Sequence, residues 1–141
     1  MQIFVPSPSP LQSAQYLDDK RVIKMVLESA QLLSNMLGGP YRKTHLNHPC
    51  MVWLRKDPAN VKWLRAHMGA LLHEYTKRYG REHKCKALGL HLDKDLTVTV
   101  EGFCNATTNH QHVKDVHLAY QLELNYKWET DKRTPTWYGQ E

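Results

Sequence analysis

A column of charged residues between positions 20 and 28 has the residue types and the spacing for chemistry. Lys20, Lys24 and Glu28 follow one another at intervals of four, so that on a helix they share one face. Arg21 adds a fourth charge three residues before Lys24. This arrangement places a proton-transfer group at the edge of a cationic row. A solvated helix face with ordinary ion pairs is the alternative interpretation of the same pattern.

The segment between residues 41 and 49 is polar and basic and contains two histidines three residues apart. Arg42 and Lys43 are of the type that contacts phosphates. His45 and His48 lack a third ligand at a sensible spacing, so the sequence predicts no metal site. We expect His48 to donate a hydrogen bond or to transfer a proton.

The amino terminus is a second possible source of chemistry. Gln2 has a bulky side chain, and removal of the initiator methionine needs a small second residue, so we expect the free α-amine to be that of Met1. The pKa of an α-amine is near 7.7–8.0 in model peptides, which leaves a neutral fraction at physiological pH. Three prolines between positions 6 and 10 stiffen the link to the first helix and hold the terminus near it.

Two more segments combine cations with aromatic rings. Residues 77–86 form the densest cationic run and include Arg78, and residues 131–139 join two cations to Trp137 and Tyr138. Such segments suit a phosphate backbone and stacking on a base that has left the duplex. A solvated run and a tail folded onto the core are the alternatives.

Composition narrows the class of protein. The 141 residues carry a formal charge of +5, which favours a nucleic acid as partner over an anionic membrane. The length fits one domain, and no apolar run is long enough to span a bilayer. Three widely spaced cysteines indicate free, mostly buried thiols. We therefore expect a soluble cytoplasmic protein without a cofactor.

Helical periodicity dominates the chain and predicts an all-α fold, a compact single domain with three main helices, a short extra helix and long loops. Ser9 is the predicted cap of the first helix, and Gly38 is its predicted stop. Residues 87–112 are predicted to be extended loop. The predicted helices are Pro10–Leu37, Pro49–Arg55, Ala59–Tyr79 closed by Gly80, and Val113–Glu129.

Several short motifs resemble the phage pyrimidine-dimer glycosylase family, also called endonuclease V of phage. They are residues 15–17, residues 63–65 with Glu74, residues 77–80, and the closing residues 133–138. The element from Asn47 to Pro49 is similar to a His-Pro element in the bacterial branch of the family. The resemblance leaves residues 85–112 uncovered.

The resemblance implies an all-α enzyme that bends duplex DNA and displaces a base. In the family a terminal α-amine attacks C1′ of the damaged nucleotide to form an imine, and a carboxylate on the first helix stabilises the cationic sugar. The family enzyme starts with a threonine after methionine removal, whereas this chain has Gln2. Alignment on residues 15–17 places Ile23 at the carboxylate position, so Glu28 is assigned from helix geometry.

We therefore expect a DNA glycosylase that acts on damaged or modified bases in duplex DNA, with a lyase step as an additional activity to be tested. We expect a monomer in the cytoplasm, which is that of the host cell if a phage encodes the protein. Two other hypotheses are a DNA-base or nucleotide-modifying enzyme on the same scaffold, with His48 and Glu28 as acid and base, and a noncatalytic DNA-binding protein. The predicted catalytic residues are Glu28, Lys24, Met1 and His48. The predicted DNA contacts are Lys20, Arg21, Arg42, Lys43, Asn47, Arg78, Trp137 and Tyr138.

Overall fold

The computed structural model describes residues 2–139, and Met1 lies outside that range. Among these residues there are five α-helices, one 3₁₀ turn at Lys84–Leu88 and no strand, which confirms the all-α prediction. No helix within residues 2–139 has the length and apolar content to cross a membrane. The α-helices are α1 (Pro10–Tyr16), α2 (Asp19–Leu37), α3 (Pro49–Lys56), α4 (Pro58–Tyr79) and α5 (Val116–Thr130).

Most helix ends lie where the capping residues predict them. The hydroxyl of Ser9 accepts the Gln12 amide at 3.2 Å, and the carboxylate of Asp57 accepts the Ala59 amide at 2.8 Å. Gly38 ends α2 with a φ of 76°, in the left-handed region that a glycine enters without strain. These local bonds satisfy amides and carbonyls that a helix terminus leaves without partners.

The prediction of one helix from Pro10 to Leu37 is wrong, because the chain bends between α1 and α2. Leu17 and Asp18 have extended backbone angles. The side chain of Leu17 is fully buried there, and the Arg78 guanidinium of α4 donates to its carbonyl at 2.6 Å. Tertiary contacts thus replace the helical bonds that local propensity favours.

Helix α4 is at the centre of the fold and packs against α1, α2 and α3. Trp63 of α4 and Trp53 of α3 meet edge to face, with ring centroids 6.1 Å apart. Phe103, from the loop before α5, contacts both rings and closes the cluster. This aromatic cluster joins the last third of the chain to the helices that precede it.

Residues 89–115 are in neither a helix nor a strand. The extended loop predicted for residues 87–112 agrees with this, except that Ala87 and Leu88 belong to the 3₁₀ turn. The final helix begins at Val116, three residues later than expected, because Asp115 caps it by accepting the amides of His117 and Leu118. The prediction of free thiols is confirmed: Cys50 and Cys85 are buried, and Cys104 is partly exposed.

Candidate active site

Side chains from the three helices α2, α4 and α5 hold the main chain of residues 2–10, which we call the amino-terminal segment. Three prolines prevent regular secondary structure in most of this segment, and several of its carbonyls accept hydrogen bonds from side chains instead. The contacts are Gln2 N to Glu28 Oε1 (3.0 Å), His117 Nδ1 to Val5 O (2.9 Å), Gln121 Nε2 to Pro6 O (2.8 Å), Trp63 Nε1 to Pro8 O (2.8 Å) and His67 Nδ1 to Pro10 O (3.0 Å). The fold as a whole therefore fixes where Gln2 lies.

The carboxylate of Glu28 is in contact with the start of the described chain. Its Oε1 accepts the Gln2 amide, and the side chain is half-buried on α2. Lys24 and Lys20 lie one and two turns earlier and are exposed. The column expected from the sequence thus lies on α2, with the carboxylate against the amino-terminal segment and the two amines in solvent.

His48 lies on the same side of the molecule as Glu28. It caps α3, and its Nδ1 accepts the Cys50 amide at 3.1 Å, so the neutral ring carries its proton on Nε2. Burial lowers the pKa of His48 below its usual value, while the nearby charge of Glu28 acts in the opposite direction. The ring is therefore a neutral donor close to the carboxylate.

The basic loop between α2 and α3 is anchored at its base and exposed at its tip. Asn35 Nδ2 donates to Thr44 O at 2.9 Å, which fixes the loop on α2. Arg42, Lys43 and Asn47 are exposed. The loop leads directly into His48, so these side chains are available to an anion beside the candidate site.

The structure places Arg21, a predicted DNA contact, in an ion-pair network. Its guanidinium binds both oxygens of Asp131 at 2.9 and 3.2 Å and Asp18 at 3.1 Å. Such a bidentate pair occupies the face of the guanidinium that a phosphate needs. Arg21 instead ties the end of α5 to the start of α2.

Arg78 was also predicted to contact DNA, but its side chain is completely buried. It donates to Glu74 Oε1 at 3.1 Å and to Asp19 Oδ1 at 3.2 Å. It also donates to the carbonyls of Gln15 and Leu17. The cation is therefore a structural link between α4 and the bend before α2.

The two aromatic residues of the tail, Trp137 and Tyr138, differ in their exposure to solvent and in their contacts. Trp137 is half-buried, donates from Nε1 to Tyr16 O at 3.1 Å and packs edge to face on Trp128. Tyr138 is 54% exposed, although its amide binds Asp19 at 2.9 Å. Nine helical residues separate Asp19 from Glu28, which is about 14 Å along the axis. The Tyr138 backbone is therefore held at the start of α2, about two and a half turns before Glu28.

Sequence reasoning missed a second carboxylate near Gln2. Glu123 of α5 is buried and accepts the Asn109 amide at 3.0 Å and His110 Nδ1 at 2.8 Å. Burial raises the pKa of Glu123, but these bonds and the charge of Lys127 outweigh that effect and leave the pKa below its usual value. The position lies in a largely apolar helix and its partners in an irregular loop, so no pattern signalled it.

Glu123 and Lys127 share a small cavity with Gln2. The cavity has a volume of about 40 Å³, and the two threonines 107 and 108 line it as well. Lys127 Nζ lies 3.9 Å from Glu123 Oε2. The Gln2 amide therefore donates to Glu28, and the Gln2 residue lines a cavity together with the Lys127–Glu123 pair. In residues 2–139, no three His, Cys, Asp or Glu side chains are placed to hold a metal ion.

A comparison of the sequence with protein families gives a match over the first part of the chain. The family model described as pyrimidine dimer DNA glycosylase matches residues 1–87, which is more than half of the chain. The matched part includes the amino-terminal segment, α1 to α4 and the basic loop, and it ends before Glu123 and the aromatic tail. No curated protein and no solved structure shows significant similarity to the chain.

Proposed function

The chain belongs to the pyrimidine dimer DNA glycosylase family, and from this premise we propose that it excises a damaged or modified base from duplex DNA. Glu28 is the proposed catalytic carboxylate and an amine the proposed nucleophile. The observation that supports this most directly is the 3.0 Å hydrogen bond from the Gln2 amide to Glu28. It brings the start of the chain and a helix carboxylate together, as the chemistry of the family requires.

The proposed reaction begins with attack of a neutral amine on C1′ of the deoxyribose. The base leaves with the electron pair of the glycosidic bond, and opening of the sugar ring gives an imine between C1′ and the amine. Glu28 stabilises the positive charge on the sugar and then transfers a proton. A lyase step from the imine is part of the proposal.

Three amines are candidates for the nucleophile. The α-amine of Met1 belongs to a residue outside the described range, and Lys24 is one turn from Glu28. Lys127 lies across the cavity from Gln2 and is partly buried. Only the unprotonated form of an amine is nucleophilic, so a low pKa would favour any of them.

His48 and the exposed cations complete the proposed site. The Nε2–H of His48 is the proposed donor to a phosphate or to the departing base, because Nδ1 already accepts the Cys50 amide. The exposed residues Lys20, Lys24, Arg42, Lys43 and Asn47 would hold the phosphate backbone. The net charge of +5 supports this role. We also propose a monomer that works in the cytoplasm.

Reductive trapping tests the proposal. The protein is incubated with borohydride and a duplex containing one cyclobutane thymine dimer, with the undamaged duplex as control. We expect a covalent adduct and strand products on the damaged duplex only. Peptide mapping of the adduct then shows whether Met1, Lys24 or Lys127 carries the sugar.

Glu28→Gln should reduce adduct and product on the order of 10²- to 10³-fold, because a charge-stabilising group is removed. Glu129→Gln, an exposed carboxylate of α5, is the matched control and should have no effect. Undiminished adduct in Glu28→Gln would refute the role of Glu28. Salt-dependent binding without any product, on this and other lesions, would instead indicate a noncatalytic module.

A further inference from the structure

Two cysteines outside the proposed chemistry lie in chain segments that pack against each other near the amino-terminal segment. Cys50 is the second residue of α3 and is fully buried, whereas Cys104 lies in the loop before α5 and is partly exposed. Phe103, next to Cys104, stacks on Trp53, which is one turn after Cys50, with ring centroids 5.6 Å apart. This aromatic contact places the loop over the start of α3.

The loop at Cys104 is held at a second point by Tyr120 of α5. The Tyr120 hydroxyl donates to the Cys104 carbonyl at 2.7 Å and accepts the Ala106 amide at 3.0 Å. The loop backbone at Cys104 is therefore fixed to α5 as well as to the start of α3.

The two thiols differ in acidity as well as in exposure. A hydrogen bond with Cys104 is the main cause that raises the pKa of Cys50, and burial adds to it. The same bond is the main cause that lowers the pKa of Cys104. Cys104 is therefore the thiol that ionises more readily and that solvent reaches.

We propose that Cys50 and Cys104 form a redox-modification site that hydrogen peroxide converts into a disulfide. The Cys104 thiolate attacks one peroxide oxygen, the O–O bond breaks, and the hydroxide that leaves takes up a proton to become water. The Cys50 sulfur then attacks the sulfenic acid sulfur, and the hydroxyl group leaves with the Cys50 proton as a second water. The two thiols lose two electrons and two protons, and the peroxide gains them.

This disulfide would act on the candidate active site through Ile3. A backbone interaction with Ile3 lowers the pKa of Cys50, and the next residue towards the amino terminus is Gln2, which binds Glu28. Formation of the disulfide draws the Cys50 sulfur towards Cys104 and weakens its interaction with Ile3. We therefore expect oxidation to displace Gln2 from Glu28. This effect on turnover rests on the proposed function, whereas formation of the disulfide does not.

Intact mass and peptide mapping test the modification itself. After treatment of the whole protein with hydrogen peroxide, we expect the loss of two hydrogen atoms, a peptide pair linked through Cys50 and Cys104, and reversal by dithiothreitol. Cys104→Ser should abolish the link. Cys85→Ser is the matched control and should retain it, because the Cys85 thiol contacts the Tyr41 hydroxyl. A wild-type protein that gains oxygen while Cys50 stays open to alkylation after unfolding would overturn the proposal, as would a disulfide between two chains.

Base excision provides the second measurement. Peroxide should reduce excision on the order of tenfold in the wild type and leave Cys104→Ser unchanged, because a small displacement at a reacting group is costly. Full activity of the disulfide form would overturn the regulatory role. Absence of excision in the reduced protein would refute the proposed function, and the mass measurement would still decide whether the disulfide forms.

Discussion

The amide nitrogen of Gln2 lies 3.0 Å from Glu28 Oε1, although 26 positions separate them in the sequence. The contact exists because donors on α4 and α5 hold the carbonyls that follow Gln2. The identity of the residue at position 2 therefore decides which amine is next to the carboxylate.

Substitution of Gln2 by threonine should move the α-amine into contact with Glu28. A small second residue permits removal of Met1, so the nitrogen that now donates as an amide becomes a primary amine. We expect faster borohydride trapping, on the order of tenfold to a hundredfold, because the amine and the carboxylate are then adjacent.

The matched control for this experiment is Gln2→Leu, whose bulky side chain retains Met1. Intact mass establishes the first residue of each variant before trapping is measured. Equal trapping rates in the two variants, with the adduct on Lys24 or Lys127, would show that the α-amine is not the nucleophile.

The exposed cations around Glu28 should determine the salt dependence of DNA binding. Alanine at Lys24, Arg42 or Lys43 is expected to reduce the slope of log K against log salt by about 0.9 each, because one fewer phosphate is neutralised. Fluorescence anisotropy on a damaged duplex between low and moderate salt measures the slope.

Lys86→Ala is a suitable control, since this exposed lysine pairs with Glu82 at 2.7 Å. Its slope should equal that of the wild type. Arg21→Ala should also keep the slope, because its guanidinium is bound by Asp18 and Asp131. A slope that falls in Arg21→Ala and not in the loop variants would reverse our assignment.

Arg78 should contribute to folding rather than to binding. Arg78→Met leaves the carboxylates of Asp19 and Glu74 buried without their cation, and we expect a loss of about 3–5 kcal/mol in the free energy of unfolding. Urea denaturation measures the loss. Arg81→Met, at an exposed arginine of the same cationic run, should change the stability by about 0.5 kcal/mol or less.

The parts of the fold that depend on local chemistry were predictable from the sequence. Caps such as Ser9 and Asp57 and stops such as Gly38 and Gly80 act within a few residues. The bend after α1 was not predictable, because its cause is a guanidinium 61 positions away that binds the Leu17 carbonyl. The helical pattern itself continues through the bend.

The candidate site was likewise predictable from the sequence only in part. The spacing of Lys24 and Glu28 on one helix face indicated a carboxylate beside cations. Sequence could not show that Arg21 and Arg78 are neutralised by carboxylates, because charge runs look the same whether they are solvated or buried. Glu123 was missed because its partners come from a loop without periodicity.

His67 should make the stability of the protein depend on pH. Its ring is fully buried, Nδ1 donates to the Pro10 carbonyl, and Nε2 has no hydrogen-bond partner within the described part of the chain. Burial lowers the pKa of His67 to about 4, against about 6.5 in the unfolded chain. Between these values the unfolded chain binds a proton that the folded protein lacks, so the free energy of unfolding falls as the pH falls.

This contribution is fully present above about pH 6.5, and about 2 kcal/mol of it is lost by pH 5. Urea denaturation of the wild type and of His67→Gln at pH 7 and pH 5 isolates the effect from the titration of other groups. We expect the wild type to lose about 2 kcal/mol more than the variant between these pH values. An equal loss in both proteins would mean that the His67 ring is already protonated in the fold, with an acceptor for Nε2, or that the unfolded chain does not gain the proton.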